Sequence, residues 1–362
     1  MGKSNIVISG YYGFNNAGDE AMLYSILSTL RKNFGESDIT VISGNPDVTC
    51  NIFKVNAIPR FNILSIIKSI GQSDLLISGG GSLLQDVTSW KSLIYYLSII
   101  CVGICFGKHV FLYSQGIGPV RHRWVRWILK AVLNHVDAIT VRDNESKGFL
   151  ERLGVKNDIY CTADAVLSLS PVSLTKGKEI LSENNIPLDK KIIGISIRRW
   201  MDTDYWSKQL RSYMEAMNKN EEYNFVFIPM QFPEDYKTTQ EYCAGIPHSF
   251  ILKKSYSTED LMSLIGCFDL LVGIRLHALI FAALMHVPFL GISYDPKIDN
   301  FLQAIREQAV FSLGKFDKSK LYDESIRLLS IPKENHDWYF IDMLRDKAQE
   351  TAEILKRTIH NK

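Results

Sequence analysis

The sequence alternates short apolar runs rich in β-branched residues with longer amphipathic stretches, and this alternation limits the fold more than any other feature. Apolar strands separated by helices are typical of a parallel sheet that is covered on both faces. The pattern predicts strands at 6–9, 39–43, 75–78, 110–113, 138–141 and 158–161. It then restarts, with strands predicted at 192–197, 224–229, 249–252, 270–273 and 289–293. We therefore expect an α/β fold of two Rossmann-like, doubly wound domains.

Turn residues and charges lie between the two halves of the pattern, at 170–173 and 187–191. They predict an N-terminal domain over 1–175 and a C-terminal domain over 190–330. A polar amphipathic helix over 337–362 follows, and we expect it to pack across the domain junction. Strands of parallel sheets end at loops on one edge, so two such domains facing each other would share a cleft.

Composition excludes several classes of protein. Among 362 residues, 41 Lys and Arg stand against 39 Asp and Glu, and this net charge of +2 argues against a nucleic-acid partner. The longest apolar run, Leu93–Phe106, has 14 residues, whereas a bilayer span needs about 18 or more. No secretory segment is recognisable at the start, and the six cysteines form no CxxC pair. These features predict a cytoplasmic protein with free thiols.

Three glycine-bearing loops follow predicted strands, at 10–20, 78–86 and 114–119. Glycine allows a ligand to approach the backbone closely, so these loops are candidates for binding a polar ligand. The first loop has the spacing GxxGxxxxG, which does not match the GxGxxG of dinucleotide-binding proteins. Plain turns, with Asp19 and Glu20 capping a helix, are the alternative interpretation. The candidate ligand-binding residues are Gly13, Asn16, Gly80, Gly81 and Gln115.

Cationic side chains follow two strands of the second half. Arg198 and Arg199 come at the end of one strand, and a pair of arginine forks suits a carboxylate or a phosphate. Arg275 and His277 interrupt an apolar strand–helix run, which makes them the sharpest functional signal. Histidine can deliver a proton near neutral pH, although a structural histidine in the core is the alternative.

Two further segments each allow two interpretations. Asp202-Thr203-Asp204 has the DxD pattern of a Mg²⁺ site, but Asp204 would also serve as a helix N-cap. The segment 120–132 interleaves basic residues with Trp124 and Trp127. Its face from Arg123 to Lys130 could meet an anionic membrane surface, or it could be a solvated helix face.

Seven motifs of this chain, in order over about residues 5–300, resemble those of the polysaccharide pyruvyl transferase family, and especially its bacterial members that modify a secondary cell-wall polymer. The motifs are GYYGFNNAGDEAM at 10–22, SGGGSLLQD at 78–86, SQGIGP at 114–119, VRDNES at 141–146, TADA at 162–165, GISIRR at 194–199 and RLHALIFA at 275–282.

The resemblance implies a GT-B-like architecture, phosphoenolpyruvate as donor and a lipid-diphosphate-linked amino-sugar oligosaccharide as acceptor. The product would be a 4,6-ketal of pyruvate on N-acetylmannosamine, in a polymer that anchors surface-layer proteins. The family's RLH motif falls on Arg275, Leu276 and His277. The donor's carboxylate and phosphate call for fixed cations, for which Arg198, Arg199 and Arg275 are candidates, with Leu276 beside them.

In this interpretation His277 is the general acid and Asp19 or Asp164 the base, while the glycine-loop residues face the acceptor. The reaction requires no metal and no cofactor. Enzyme and lipid-linked acceptor would meet at the inner face of the cell membrane. Two alternatives remain: a GT-B glycosyltransferase that uses a nucleotide sugar, and a glycan-binding protein without catalysis.

Overall fold

The β-branched segments form two parallel sheets in the computed structural model, which describes residues 4–35, 37–87, 89–199, 203–219, 222–312 and 317–360. The described residues divide into two units. The first contains the residues up to Phe14, Asp19–Ser168 and the residues from Leu344 onward. The second contains Asn15–Gly18 and Leu169–Met343.

Eight strands form the described sheet of the first unit: β1 (Ser4–Tyr12), β2 (Ser37–Ser43), β3 (Asn56–Pro59), β4 (Leu75–Ser78), β5 (Gly81–Leu84), β6 (His109–Ile117), β7 (Ala138–Val141) and β8 (Ile159–Cys161). Their order is β3-β2-β1-β4-β6-β7-β8, with β5 paired to β6. The order reverses between β1 and β4, and such a switch point is where doubly wound sheets bind ligands. The loops that follow β1 and β4 are the first two glycine loops.

Helices cover both faces of this sheet: α1 (Ala17–Phe34), α2 (Pro46–Phe53), α3 (Ile63–Gln72), α4 (Trp90–Cys105), α5 (Arg123–Leu133) and α6 (Asn144–Leu153). Successive strand residues point to opposite faces. Accordingly, Val7 and Leu76 pack with α3 to α6, whereas Ile8 and Ile77 pack with α1 and α2.

The sheet of the second unit repeats this design with β9 (Lys191–Ser196), β10 (Tyr223–Phe227), β11 (Ser249–Ile251), β12 (Leu270–Gly273), β13 (Phe289–Ser293) and β14 (Phe311–Ser312). The order is β11-β10-β9-β12-β13-β14, so the switch point lies between β9 and β12. Its helices are α7 (Thr175–Glu183), α8 (Thr203–Met217), α9 (Glu234–Cys243), α10 (Thr258–Gly266), α11 (Leu276–Leu284), α12 (Pro296–Ala304) and α13 (Lys318–Leu329). The α/β fold with two doubly wound sheets is confirmed.

The chain divides differently from the sequence-based boundaries. The segment expected to link the domains contains α7, which packs in the second unit, where the Gly177 N–H donates to Ser263 Oγ at 2.7 Å. The final helix, α14 (Tyr339–His360), has its residues up to Met343 in the second unit and those from Leu344 onward in the first, where its Leu355 joins the core around α1. Among the helices that the structure describes, none combines the length and the apolar character that a bilayer span requires.

Candidate active site

The carboxyl edge of the second sheet collects the cationic residues of the second half. β9 and β12 pair in parallel, with Ser196 opposite Gly273, so the segments after them start side by side. Arg198 follows β9, and the residues Arg275 to His277 follow β12. The switch point of this sheet therefore lies at the residues that the sequence singled out.

His277 lies in the first turn of α11, half-buried, with its Nδ1 edge against the backbone of Gly18. A Cβ atom on Gly18 would come within 2.1 Å of His277 Nδ1, so only glycine permits this approach. The Nε2 atom of His277 is shielded from solvent. Backbone packing therefore fixes the position of the ring that the sequence proposes as the general acid.

The segment Asn15–Gly18 is held in the second unit by backbone hydrogen bonds. The Ala17 N–H donates to the Met230 carbonyl at 2.7 Å, and the Phe232 N–H donates to the Asn15 carbonyl at 3.2 Å. The side-chain oxygen of Asn16 accepts from the Gly18 N–H at 3.1 Å. Asn16, a predicted acceptor residue, thus shapes the turn that brings Gly18 to His277.

Arg275 is paired with a carboxylate that the sequence did not reveal. Its Nε–H donates to Asp235 Oδ2 at 2.9 Å, and its Nη2–H donates to Asp235 Oδ1 and to Gln231 Oε1. The buried Asp235 also accepts from the backbone N–H groups of Met230 and Gln231. Arg275 therefore ties the start of α11 to the loop that holds Asn15–Gly18.

A second cationic cluster spans the end of β12. The Nη1–H of Arg198 donates to the hydroxyl of Tyr294 at 3.1 Å, and its guanidinium lies 5.1 Å from the centre of that ring. Lys297 Nζ lies 5.3 Å from the same centre and 3.8 Å from Asp295 Oδ2. Burial alone would raise the pKa of Tyr294, but the charges of Lys297 and Arg198 outweigh it and hold this pKa below its usual value.

The positions of the other candidates of the second unit give weaker support for a functional role. Arg199 is exposed, while Leu276 is 5% exposed and packs into the core. Asp202 of the DxD pattern lies outside the described residues, and Asp204 belongs to the backbone of α8. Lys297, Tyr294 and Asp235 are the residues that sequence reasoning missed.

In the first unit the glycine loops enclose a tyrosine. A Cβ atom on Gly10 would come within 2.3 Å of the Tyr12 ring, and one on Gly79 within 2.0 Å of its hydroxyl. Gly80 and Gly81 likewise make room for Met22, at 2.8 and 3.0 Å. The Tyr12 hydroxyl is buried and accepts or donates no hydrogen bond among the described residues. Close packing accounts for these glycines without a ligand.

Glu20, which the sequence suggested only as a helix cap, has an unusual carboxyl group. Burial is the main cause that raises its pKa to about 7, and the neighbouring charge of Asp19 adds to the shift. Its Oε1 accepts from the Gly13 N–H at 2.8 Å, which opposes the shift. Gly13 has a φ of +80° and turns the chain there. A carboxyl of this pKa can take up or release a proton near neutral pH.

The remaining predicted residues of the first unit make internal hydrogen bonds and ion pairs. The fully buried Gln115 donates from Nε2 to the Ser78 hydroxyl at 2.6 Å and to the Gly79 carbonyl at 2.9 Å, so it holds the glycine loop from behind. Asp164 is buried and accepts from Arg142 Nη1 at 3.2 Å. Its carboxylate is thus engaged in an ion pair.

Solved structures share this fold at low sequence identity. A UDP-GlcNAc 2-epimerase from Methanocaldococcus jannaschii superposes with a TM-score of 0.69 at 11% identity, covering 97% of this chain and 99% of that one. A glycosyltransferase from Rickettsia africae has a TM-score of 0.62 at 13% identity and full coverage of both chains. The ADP-heptose heptosyltransferase II of E. coli has a TM-score of 0.51 at 15% identity, covering 90% of this chain and 98% of that one. The fold is therefore GT-B-like.

Comparison with curated proteins finds no match for this sequence. The model of one protein family, however, matches residues 16–296, which is most of the chain and includes Gly18, Arg198, Asp235 and His277. The chain belongs to the polysaccharide pyruvyl transferase family.

Proposed function

We propose that this protein transfers the enolpyruvyl group of phosphoenolpyruvate to a lipid-linked amino-sugar oligosaccharide and closes a 4,6-ketal there, with N-acetylmannosamine as the sugar. Family membership supports the transfer of a pyruvyl group in general. The observation that carries the proposal is the cationic carboxyl edge of the second sheet, where Arg198 and Lys297 flank the segment that bears His277.

The donor has a carboxylate and a phosphate, and both need fixed positive charge. Since β12 lies between β9 and β13 in the sheet, the bond from Arg198 to Tyr294 joins the loops on either side of the end of β12, the strand that leads into Arg275–His277. Arg198 and Lys297 are therefore the cations that we assign to the donor. Arg275 is engaged by Asp235, and we assign it to positioning as well as to charge.

The proposed reaction begins at the carbon–carbon double bond of phosphoenolpyruvate. His277 gives a proton to the methylene carbon, and the central carbon becomes electrophilic. One sugar hydroxyl attacks that carbon, phosphate leaves, and the second hydroxyl closes the ketal. Two hydroxyl protons are released: one restores His277, and the other leaves with the phosphate. General acid catalysis of this kind typically contributes about 10²- to 10⁴-fold.

A base would assist the attacking hydroxyls. Glu20 suits this role best among the described carboxylates of the glycine loops, because its pKa of about 7 lets it accept a proton near neutral pH. Asp19 adjoins it in the chain, whereas Asp164 is engaged by Arg142. None of the proposed steps uses a metal ion or an organic cofactor. We therefore expect turnover to persist when a metal chelator is added.

The test is phosphate release from phosphoenolpyruvate with a synthetic lipid-linked disaccharide, together with the mass of the product. The ketal adds pyruvate minus water. His277→Ala should lower turnover at least about a hundredfold, whereas His135→Ala, an exposed histidine of the first unit, should not. Turnover of a UDP-sugar in place of phosphoenolpyruvate would establish the nucleotide-sugar alternative and refute the proposal.

A further inference from the structure

The first unit exposes large apolar side chains at the N-terminal ends of three adjacent helices. Phe61, Ile63 and Leu64 stand at the start of α3, and their exposed fractions are 77%, 68% and 80%. Trp90 begins α4, and Trp124 and Trp127 lie in the first turns of α5. Trp127 is 72% exposed. We call these six side chains the apolar rim.

The residues of the rim belong to a single helical layer. α3, α4 and α5 pack on the same face of the sheet through the core that contains Ile66, Leu93 and Val125. The rings of Trp90 and Trp124 meet edge to face at 5.4 Å. Phe61 lies 6.1 Å from the ring of Tyr95 in α4, whose hydroxyl donates to the Arg60 carbonyl at 2.7 Å.

The charge around the rim has one sign. Between Arg60 and Val136 the chain carries eight Lys and Arg and two Asp, a net charge of +6, although the whole protein has only +2. The helices α3, α4 and α5 contain no acidic residue. The cations of this stretch are Arg60, Lys68, Lys91, Lys108, Arg121, Arg123, Arg126 and Lys130.

Neither aspartate of the stretch offsets this charge at the rim. Asp86 is buried, and it accepts from the backbone N–H groups of Arg121 and His122 at 2.7 and 2.9 Å and from His122 Nδ1 at 2.6 Å. These internal bonds hold the pKa of Asp86 below its usual value although burial opposes them. Asp74 precedes β4 and accepts from the Asn5 N–H, at the opposite edge of the sheet. Lys108 and Lys130 also lie at that edge, because the His109 N–H donates to the Asp74 carbonyl and Lys130 is in the last turn of α5. The cations left for the rim are Arg60, Lys68, Lys91, Arg121, Arg123 and Arg126.

We propose that the apolar rim and its surrounding cations dock the first unit onto a bilayer that contains anionic lipids. Aromatic and aliphatic side chains can enter the boundary between headgroups and acyl chains, while the Lys and Arg around them attract the negative headgroups. The proposal extends well beyond the basic face at 123–130, because α3 supplies the most exposed apolar residues. It rests on exposure and charge, and it stands whether or not the proposed reaction is correct.

Docking in this way has a geometric consequence within the first unit. In parallel α/β units each helix begins where a strand ends, so the N-termini of α3, α4 and α5 lie at the carboxyl edge of the sheet. The glycine loops after β1 and β4 open at the same edge. The rim would therefore bring those loops toward the headgroup layer.

The experiment is sedimentation of the full chain with phosphatidylcholine vesicles that either contain or lack phosphatidylglycerol. The anionic vesicles should bind the protein, and added salt should weaken this binding because it screens exposed charges. Leu64→Ser combined with Trp127→Ser should lower the partition coefficient about tenfold or more. The matched control is Ile52→Ser on α2, which is 58% exposed on the other helical layer.

A charge series tests the electrostatic part separately. Lys91→Glu and Arg123→Glu should each weaken binding to anionic vesicles about fivefold or more. Lys178→Glu and Lys237→Glu, which change exposed lysines of the second unit, should leave it unchanged. Unaltered melting temperatures would show that the rim and charge variants are folded, as expected for exposed positions.

Three results would overturn the proposal. Equal sedimentation of the parent and the Leu64/Trp127 variant would exclude the rim from the contact. Equal binding to neutral and anionic vesicles would exclude recognition of anionic headgroups. A parent chain that binds neither vesicle, but forms a dimer in light scattering that the Leu64/Trp127 variant loses, would assign the rim to a second copy of the chain.

Discussion

Gly18 and His277 are packed so closely that a side chain on Gly18 would have to share the space of the imidazole ring. The distance from an ideal Cβ on Gly18 to His277 Nδ1 is 2.1 Å, which real Cβ contacts essentially never show. The orientation of the proposed acid is therefore set by a backbone atom 259 positions earlier in the chain.

Gly18→Ala should displace the His277 ring and lower kcat by about ten- to a hundredfold, since small misplacements of a catalytic group are costly. Steady-state kinetics would measure the loss. Gly71→Ala is the matched control, because the nearest atoms to a Cβ there lie 3.8 Å away. Unchanged kcat in Gly18→Ala would show that the position of this ring does not matter to turnover.

Removing Asp235 should destabilise the second unit, because the half-buried Arg275 would lose its bidentate partner. For Asp235→Ala we expect a loss of about 3–5 kcal/mol in the free energy of unfolding, the usual cost of breaking a buried pair. Denaturant titration measures it. A double-mutant cycle with Arg275→Met separates the pair from the individual residues, and a coupling energy near zero would argue against the interaction.

Variants of Arg275 and Asp235 also test whether Arg275 binds the donor or only positions the residues around it. If Arg275 also contacts phosphoenolpyruvate, Arg275→Lys should raise the donor KM more than Asp235→Asn does, because lysine lacks the planar fork. Equal effects of the two variants on KM and kcat would instead give Arg275 a positioning role only. The two outcomes can be read from the same kinetic series.

Glu20 should make the protein less stable as pH rises. Its folded pKa of about 7 lies above the ordinary value of 4.5, so the folded state holds a proton that the unfolded state has lost. Stability therefore falls between about pH 4.5 and 7 and stays lower above that range. Glu20→Gln should be more stable than the parent at pH 8, by up to about 3 kcal/mol, and nearly equal at pH 4. A constant difference across this range would contradict the raised pKa.

Lys297→Met should weaken donor binding about tenfold if Lys297 supports the donor's charge, because a charge-assisted hydrogen bond is lost. It should also raise the pKa of Tyr294, whose ionised form loses a neighbouring cation. Donor KM and the ultraviolet titration of tyrosine, with Tyr294→Phe as the reference, give the two readouts. Lys297→Arg retains the charge and should preserve both values; a parallel change in Lys297→Arg would exclude a charge effect.

The strands of the fold were largely predictable from the sequence. The bounds 75–78, 138–141, 270–273 and 289–293 agree with the structure, because short apolar runs rich in branched side chains and bounded by turn residues favour buried strands over helices. Three described strands were missed. Asn56–Pro59 (β3) is short and mixed, Gly81–Leu84 (β5) lies inside a loop interpreted as a glycine turn, and Phe311–Ser312 (β14) has only two residues.

The partners within the candidate site were not predictable in this way. Asp235 pairs with Arg275 from 40 positions away, and Arg198 reaches Tyr294 only because β9 and β13 both lie beside β12 in the sheet. The raised pKa of Glu20 depends on burial, which no local motif encodes. Motifs identify residue types and loops, whereas charge pairing depends on which strands become neighbours.

The return of α14 to the first unit affects the order in which the protein can be completed during synthesis. Thr351 hydrogen-bonds to Ser114 and Thr162, and Leu355 is fully buried beside α1. The first unit is therefore finished last, after the ribosome has made the whole of the second. Until then the part of the core beside α1 that Leu355 covers stays exposed, and transiently exposed apolar surface of this kind favours binding by chaperones.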